Sequence, residues 1–238
     1  MSKTFEIAIV GAGIAGATLA IALHHRGLKV TIYEAAQAFG EIGAGVSFSP
    51  NAVGAMKICH EGVYEAFKKV ATRNKWESKQ KVWFDYVDGY SKIKADGSPL
   101  TAEELPETAF TISNSLGQNG VHRARFLEEM VHLIPEGVAH FGKRVTTIDE
   151  PATGGGKLVI HFTDGTFAET DAIIGCDGIK SAVRRYMVGE DSPCAWPSYS
   201  HKYAYRGLVP MEDAIAAIGK EMAENSFMHV RSPSPLEI

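Results

Sequence analysis

The chain has 238 residues, of which 45% are hydrophobic, 22% charged and 9% aromatic, and this composition excludes a disordered, collagen-like or disulfide-rich protein. A chain of this length can bury the core of one large domain or of two unequal ones. Its 24 basic and 28 acidic residues give a net charge of −4, so no basic surplus points to nucleic acid as a partner.

The beginning of the chain predicts a βαβ unit. The apolar run FEIAIV at 5–10 contains β-branched residues and is typical of a strand buried on both faces of a parallel sheet. An Ala- and Leu-rich helix is expected at 14–26, where Gly27 ends it, and LKVTIY at 28–33 predicts the second strand. Two further helices are expected at about 51–59 and 62–70.

The middle of the chain is richer in aromatic residues and in turn signals. KVWFDYV at 81–87 predicts a strand, and the following DGYSKIKADG predicts antiparallel hairpins. Residues 95–120 have weak periodicity and predict a long loop. An amphipathic helix is expected at 123–134, because apolar residues recur there at helical spacing before Pro135.

Strands dominate the remainder. The segments 144–148, 157–162 and the short TFAET, separated by glycine turns, predict a small antiparallel meander. DAIIG at 171–175 predicts a buried strand, with a short helix at 180–187 after it. The last segments are a predicted strand at 202–210 (KYAYRGLVP), a predicted helix at 211–223 and a polar, proline-broken tail at 231–238 that we expect to be unstructured.

A glycine-rich turn lies between the first strand and the first helix, at Gly11, Gly13 and Gly16. The first glycine permits a tight turn, the second lets the backbone approach a pyrophosphate, and the third permits close packing of helix on strand. The helix start offers unpaired N–H groups to the phosphates. Glu34 ends the second strand, where its carboxylate can accept hydrogen bonds from both ribose hydroxyls. We therefore predict an adenine-dinucleotide site; the alternative is an ordinary glycine turn with a solvated Glu34.

The turn does not distinguish FAD from NAD, but three later features favour a flavin. Gly43 and Gly45 flank a backbone stretch that could lie against a flat ring. Arg123 opens a helix, a poor place for a cation unless an anion such as a pyrophosphate is near. Asp177 and Gly178 follow a buried strand, where open α/β sheets place ligand contacts. The alternatives are an ordinary glycine loop, a solvated arginine and an aspartate that caps the next helix.

Metal chemistry and membrane insertion are not expected. The three cysteines, Cys59, Cys176 and Cys194, lack the spacing of a zinc site or a disulfide framework, and they fit a reducing compartment. The apolar run 14–23 is shorter than the roughly 20 residues that span a bilayer, and no secretory signal is apparent. We expect a cytoplasmic protein without a transmembrane segment.

The glycine turn with Glu34, followed by GAGVSFSPNA, HRARF and IIGCDGIKSAVR, resembles single-component FAD-dependent aromatic hydroxylases, most closely the salicylate-hydroxylase-like branch with its fungal monooxygenases. The resemblance covers about residues 5–230. It implies an α/β fold: a glutathione-reductase-like, Rossmann-type FAD-binding domain interleaved with an antiparallel-sheet substrate domain. We place the first domain at 1–75 and 105–190, and an incomplete substrate domain at 76–104 and 191–230.

The resemblance also implies which residues bind the cofactor. These are Gly11, Gly13, Gly16, Glu34, Gly45, Ser47, Arg123, Asp177 and Gly178. The glycines of the turn would wrap the pyrophosphate of FAD, Glu34 would bind its adenosine ribose, and the backbone around Gly45 and Ser47 would meet its inner part. Arg123 would contact the cofactor, while the Asp177 segment would serve both FAD and the passing nicotinamide nucleotide.

Arg206, in YAYRGLVP, is the candidate catalytic residue. In some fungal members the matching arginine holds the phenolate of the substrate. A permanent cation favours the ionised phenol, which is the better nucleophile. The alternative is a solvated cation on a strand.

The activity that the resemblance implies is hydroxylation of an aromatic or phenolic small molecule by FAD, NADH or NADPH, and O2. Family members continue beyond residue 238 and carry a late Gly-Asp segment that does not occur here. We therefore expect weak FAD retention and little hydroxylase activity from a shortened chain. Two alternatives stay open, an NAD-dependent dehydrogenase with the same turn and a non-catalytic nucleotide-binding fragment. The substrate, the choice of NADH or NADPH and the oligomeric state cannot be read from the sequence.

Overall fold

The structure is a computed structural model that describes residues 5–39, 45–88, 97–99, 108–151 and 155–230. The helices are α1 (Ile14–His25), α2 (Pro50–Cys59), α3 (Glu61–Val70), α4 (Arg123–Val131), α5 (Ala182–Val188) and α6 (Met211–Glu224). The strands are β1 (Glu6–Val10), β2 (Lys29–Tyr33), β3 (Gly45–Ser47), β4 (Val82–Asp88), β5 (Thr108–Ser113), β6 (Gly120–His122), β7 (Ala139–His140), β8 (Val145–Asp149), β9 (Leu158–Phe162), β10 (Phe167–Thr170), β11 (Ala172–Gly175) and β12 (Phe227–Val230).

The chain divides into two compact units. The first comprises Met1–Ala44, Gly54–Val70 and His122–Tyr205, and the second comprises Gly45–Val53, Ala71–Val121 and Arg206–Ile238. The boundaries of these two units differ from the predicted domain boundaries. The roles assigned to those domains stay predictions.

The first unit is built on a parallel sheet in the order β11-β1-β2-β7, which confirms the predicted βαβ unit. Strand β1 is central, and Ile9 and Ile32 pack with Ala20 of α1. Its residue Ala8 packs instead against Ile160 of the antiparallel meander β10-β9-β8, which is also confirmed. Burial on both faces explains the uninterrupted apolar run of β1. Because β1, β2 and β11 are parallel and in register, the residues that follow them meet at one edge of the sheet.

The second unit contains a mixed sheet in the order β12-β4-β5, with β12 parallel and β5 antiparallel to β4. Asp85 on β4 is buried, and its carboxylate accepts hydrogen bonds from Lys79 Nζ at 2.6 Å and from the Thr111 hydroxyl. Asn74 joins distant segments: its Nδ2 donates to Val82 O at 2.9 Å, and its Oδ1 accepts from Ser226 N at 2.8 Å. The two contacts of Asn74 connect the start of β4 with the residue that precedes β12, although the two strands are far apart in sequence.

The prediction of a long loop at 95–120 is wrong over part of its range. Strand β5 lies within it and pairs with β4, and β6 begins at Gly120. The β-branched and aromatic residues of β5 favour a strand. Since all six residues of β5 are exposed, burial does not stabilise the strand, and its hydrogen bonds to β4 do. The hairpins predicted within 89–96 and the tail at 231–238 lie outside the described residues.

The strand predicted at 202–210 is also wrong, since the structure has no strand over these described residues. Its alternating apolar side chains are exposed, with Tyr205 at 93% and Leu208 at 80%. Alternation predicts a strand only where a neighbouring strand can pair with its backbone. The structure provides no such pairing for this segment within its described ranges.

Among the helices of the described residues, none combines the length and the apolar character of a membrane span. The cytoplasmic location expected from the sequence stays a prediction.

Candidate functional site

A cavity of about 760 Å³ lies in the first unit, at the edge of the parallel sheet where β1, β2 and β11 end. It collects most of the cofactor-binding residues predicted in this unit: Gly11, Gly13, Glu34, Arg123, Asp177 and Gly178. Gly16 lies in α1, directly behind the turn. The other predicted site residues, Gly45, Ser47 and Arg206, belong to the second unit.

The glycine turn is so closely packed that two of its positions have no room for a side chain. A Cβ on Gly11 would lie 2.5 Å from the carbonyl oxygen of Cys176, and the φ of Gly11 is +99°. A Cβ on Gly16 would lie 2.0 Å from the carbonyl oxygen of Gly11. Both contacts are with backbone, which cannot move aside as a flexible side chain can. The structure therefore requires glycine at these two positions.

The N-terminus of α1 is suited to an anion. Its cap residue, Gly13, has no side chain to accept from the helix N–H groups, and the first turn holds no acidic residue. The guanidinium of Arg123 approaches the same point, since its Nη2 would be 3.3 Å from a Cβ on Gly13. The partial positive charge of the helix end and the charge of Arg123 thus meet at the cavity wall. A pyrophosphate is an anion that fits this arrangement.

Glu34 is held in place at the end of β2 by backbone N–H groups. Its Oε2 accepts from Ala12 N at 2.6 Å, and its Oε1 accepts from Ala36 N at 2.8 Å. A carboxylate has about four acceptor sites, so each oxygen can still accept a hydrogen bond from a ligand hydroxyl. The side chain is therefore both fixed in position and able to bind a ribose.

The carboxylate of Asp177 caps helix α5. Its Oδ1 accepts from Ser181 Oγ at 2.5 Å, and its Oδ2 accepts from Ala182 N at 2.6 Å and Val183 N at 3.2 Å. This is the structural alternative considered from the sequence, and it is the arrangement found. The segment still reaches the cavity, where Gly178 has a φ of +73°.

Replacing Asp177 with alanine is expected to lower the free energy of unfolding by about 1–2 kcal/mol, because helix α5 loses its capping acceptors. Asp191→Ala, at an exposed aspartate after the same helix, serves as the control and should change stability little. Urea unfolding of both variants measures this, with FAD titration alongside. Loss of FAD binding at unchanged stability would mean that the carboxylate acts on the ligand and not on the helix.

Several lining residues were not identified from the sequence: Lys143, Arg144, Lys180, Arg185 and Trp196. With Arg123 included, five lysine and arginine side chains line the described cavity, against two carboxylates. This lining is therefore suited to a ligand with negative charge. Lys143 donates to Asp164 at 2.6 Å, and this bond holds the pKa of Asp164 well below its usual range. Lys180 lies within the segment IIGCDGIKSAVR and Arg185 directly follows it, but Lys143, Arg144 and Trp196 come from other parts of the chain.

Cys176 lies on the cavity wall between the turn and Asp177. Burial raises the pKa of its thiol, and the negative charge of Asp177 raises it further. The thiol therefore stays protonated at neutral pH, which argues against a thiolate nucleophile. Burial likewise raises the pKa of Tyr33, at the end of β2.

Within the described ranges, no group of three or more His, Cys, Asp or Glu side chains could hold a metal ion.

Comparison with known proteins agrees with this geometry. Residues 9–52 match the sequence model of the NAD(P)-binding Rossmann-like domain. The chain is 45% identical over 230 residues to the FAD-dependent monooxygenase azaH of Aspergillus niger, covering 96% of this chain and 52% of azaH. It is 44% identical over 229 residues to 6-methylsalicylate 1-monooxygenase atA of Aspergillus terreus, covering 95% of this chain and 49% of atA. The chain is a homologue of the FAD-dependent monooxygenases.

The fold is also similar to that of a solved structure. The chain matches a salicylate hydroxylase substrate complex with a TM-score of 0.71 and 28% identity, covering 96% of this chain and 51% of that chain. The predicted resemblance to FAD-dependent hydroxylases and the predicted α/β, Rossmann-type fold are confirmed. The chain spans about half the length of the curated relatives it matches.

Proposed function

We propose that this homologue supplies the FAD-binding part of a monooxygenase that hydroxylates an aromatic or phenolic small molecule with NAD(P)H and O2. The observation that carries the proposal is the glycine turn of Gly11 and Gly16, which opens beside Glu34 on a cavity rich in cations. The relatives that align with nearly the whole chain are named FAD-dependent monooxygenases, and they supply the reaction class.

Several groups of the cavity would share the binding of FAD. The N-terminus of α1 and Arg123 would neutralise the pyrophosphate, and the ribose hydroxyls of the adenosine would donate to Glu34. The backbone at Gly11 and Gly178 would approach the cofactor closely, since neither residue carries a side chain. When bound, FAD would accept electrons from NAD(P)H and activate dioxygen for transfer to an electron-rich ring.

The proposed substrate class is a phenol, since relatives are named for salicylate and 6-methylsalicylate. The second unit has an exposed aromatic surface on its mixed sheet, where Tyr86 and Phe110 stack with ring centroids 4.4 Å apart and Phe110 is 48% exposed. A flat apolar surface of this kind suits an aromatic ring. Arg206 belongs to the same unit and is exposed, and we propose that its guanidinium favours the ionised phenol.

The main alternative is an NAD-dependent dehydrogenase, because the same turn can bind NAD. The match of residues 9–52 to an NAD(P)-binding domain leaves this alternative open. The alignments with monooxygenases favour FAD because they extend over 230 residues and not over the turn alone. Since the chain spans about half of those relatives, cofactor binding and turnover are separate proposals. For the 238 residues alone we expect weak FAD retention and little hydroxylation.

A flavin titration tests the proposal. Purified protein is titrated with FAD and, in parallel, with NAD⁺, and FAD binding is followed by flavin absorbance and fluorescence. NADH and NADPH oxidation with salicylate is then measured, with product analysed by mass spectrometry. We expect saturable FAD binding, no comparable NAD⁺ binding and product near background. Saturable NAD⁺ binding without FAD binding would instead indicate a dehydrogenase. Efficient coupling of oxidation to product would overturn the expected inactivity.

A further inference from the structure

Trp196 lies on the wall of the cavity, after helix α5. The residue is 55% exposed, so a large part of its apolar surface is open to a ligand. The preceding residue, Ala195, is fully buried. The backbone therefore turns inward at Ala195 while the indole ring stays outside, against the open space of the cavity.

Hydrogen bonds fix the segment that carries this ring. The indole Nε1 of Trp196 donates to the carbonyl oxygen of Glu190 at 3.0 Å. The carbonyl oxygen of Ala195 accepts from Arg184, with distances of 3.4 Å to Nε and 3.3 Å to Nη2. The only polar atom of the ring is thus satisfied within the protein. What the ring still offers to a ligand is an apolar aromatic surface in a fixed orientation.

Arg185 covers part of the indole from the side of helix α5. The centre of its guanidinium lies 4.8 Å from the ring centroid, and its Nη1 donates to the carbonyl oxygen of Lys180 at 2.9 Å. A cation held over an aromatic ring is a favourable contact and restricts the ring further. More than half of Trp196 remains uncovered, so a second flat group can still reach it.

We propose that Trp196 stacks against the adenine ring of the dinucleotide in this cavity. The proposal rests on the proposed function, because it requires a dinucleotide there. Glu34, which we expect to bind the adenosine ribose, lines the same cavity as Trp196, so the adenine attached to that ribose lies in the same space. Adenine is flat and uncharged, and stacking on an aromatic side chain is the contact that such a base makes most readily. The cations of the lining would serve the phosphates.

Calorimetric titration of the 238-residue chain tests the stacking, with FAD, ADP and NADH as separate ligands. The variants are Trp196→Ala, Trp196→Phe and the control Tyr199→Ala, which removes an exposed aromatic ring of the same segment outside the cavity lining. Stacking on one base corresponds to about a 5- to 150-fold change in affinity. We expect Trp196→Ala to weaken FAD and ADP by the same factor in this range. Trp196→Phe should keep most of the affinity, and Tyr199→Ala all of it.

The outcomes separate this proposal from the proposed function. Equal binding of FAD by wild type and Trp196→Ala overturns the stacking and leaves the proposed function intact. A loss seen with FAD and absent with ADP also overturns it, because the ring would then contact the flavin. Binding of ADP and NADH that depends on Trp196, without FAD binding, supports the stacking and contradicts the proposed function. Binding of none of the three ligands by the folded wild type overturns both.

Discussion

Gly16→Ala is expected to destabilise the first unit and to remove most of its affinity for FAD. A Cβ at this position would lie 2.0 Å from the carbonyl oxygen of Gly11 and 3.2 Å from the Cβ of Cys176. Relief requires movement of α1 away from β1, at a cost of about 1–3 kcal/mol in unfolding free energy. The same movement displaces the turn that faces the phosphates, so each 1.4 kcal/mol of lost contact lowers FAD affinity about tenfold.

Gly54→Ala is the matched control, because Gly54 is also a helical glycine and its Cβ would meet nothing within 4 Å. Alanine is the better helix former, so this variant should gain about 0.5–1 kcal/mol and bind FAD as the wild type does. Urea unfolding and flavin fluorescence titration measure both effects. Equal behaviour of the two variants would show that the close approach in the turn does not constrain the site.

Glu34→Gln is expected to weaken FAD binding by about 10- to 150-fold, since hydrogen bonds to a charged group contribute about 1.5–3 kcal/mol. The change also affects the protein itself. Both carboxylate oxygens accept from backbone N–H groups, at Ala12 and Ala36. The carboxamide has one oxygen, so its NH2 group must face one of these donors. Either the side chain turns away or one N–H loses its acceptor, and the ribose contact is displaced in both cases.

The control for this variant is Glu128→Gln, which removes one negative charge from an exposed position on α4. It should bind FAD with wild-type affinity in the same titration, at the same salt concentration. If Glu34→Gln also binds FAD as tightly as the wild type, Glu34 serves the turn alone and the adenosine ribose lies elsewhere.

The candidate site divides into a part that is local in sequence and a part that is not. Gly11, Gly16 and Glu34 lie within one βαβ unit, so strand, turn and helix patterns were enough to place them at one sheet edge. The lining by Lys143, Arg144 and Trp196 could not be predicted, because it depends on how β8 and the segment after α5 pack against that edge. Asp177 had two compatible interpretations: its distances to Ser181 and Ala182 show the helix cap, and its role in cofactor binding stays a prediction.

Local sequence patterns were enough to predict the parallel core and the glycine turn. A continuous apolar run such as 5–10 needs burial on both faces, and glycine spacing reflects backbone sterics that act between near neighbours. Local patterns could not predict that β12 pairs with β4, that β5 is a strand or that residues 202–210 are not a strand. Strand pairing satisfies backbone groups with partners far along the chain, and a local pattern cannot show whether such a partner is present.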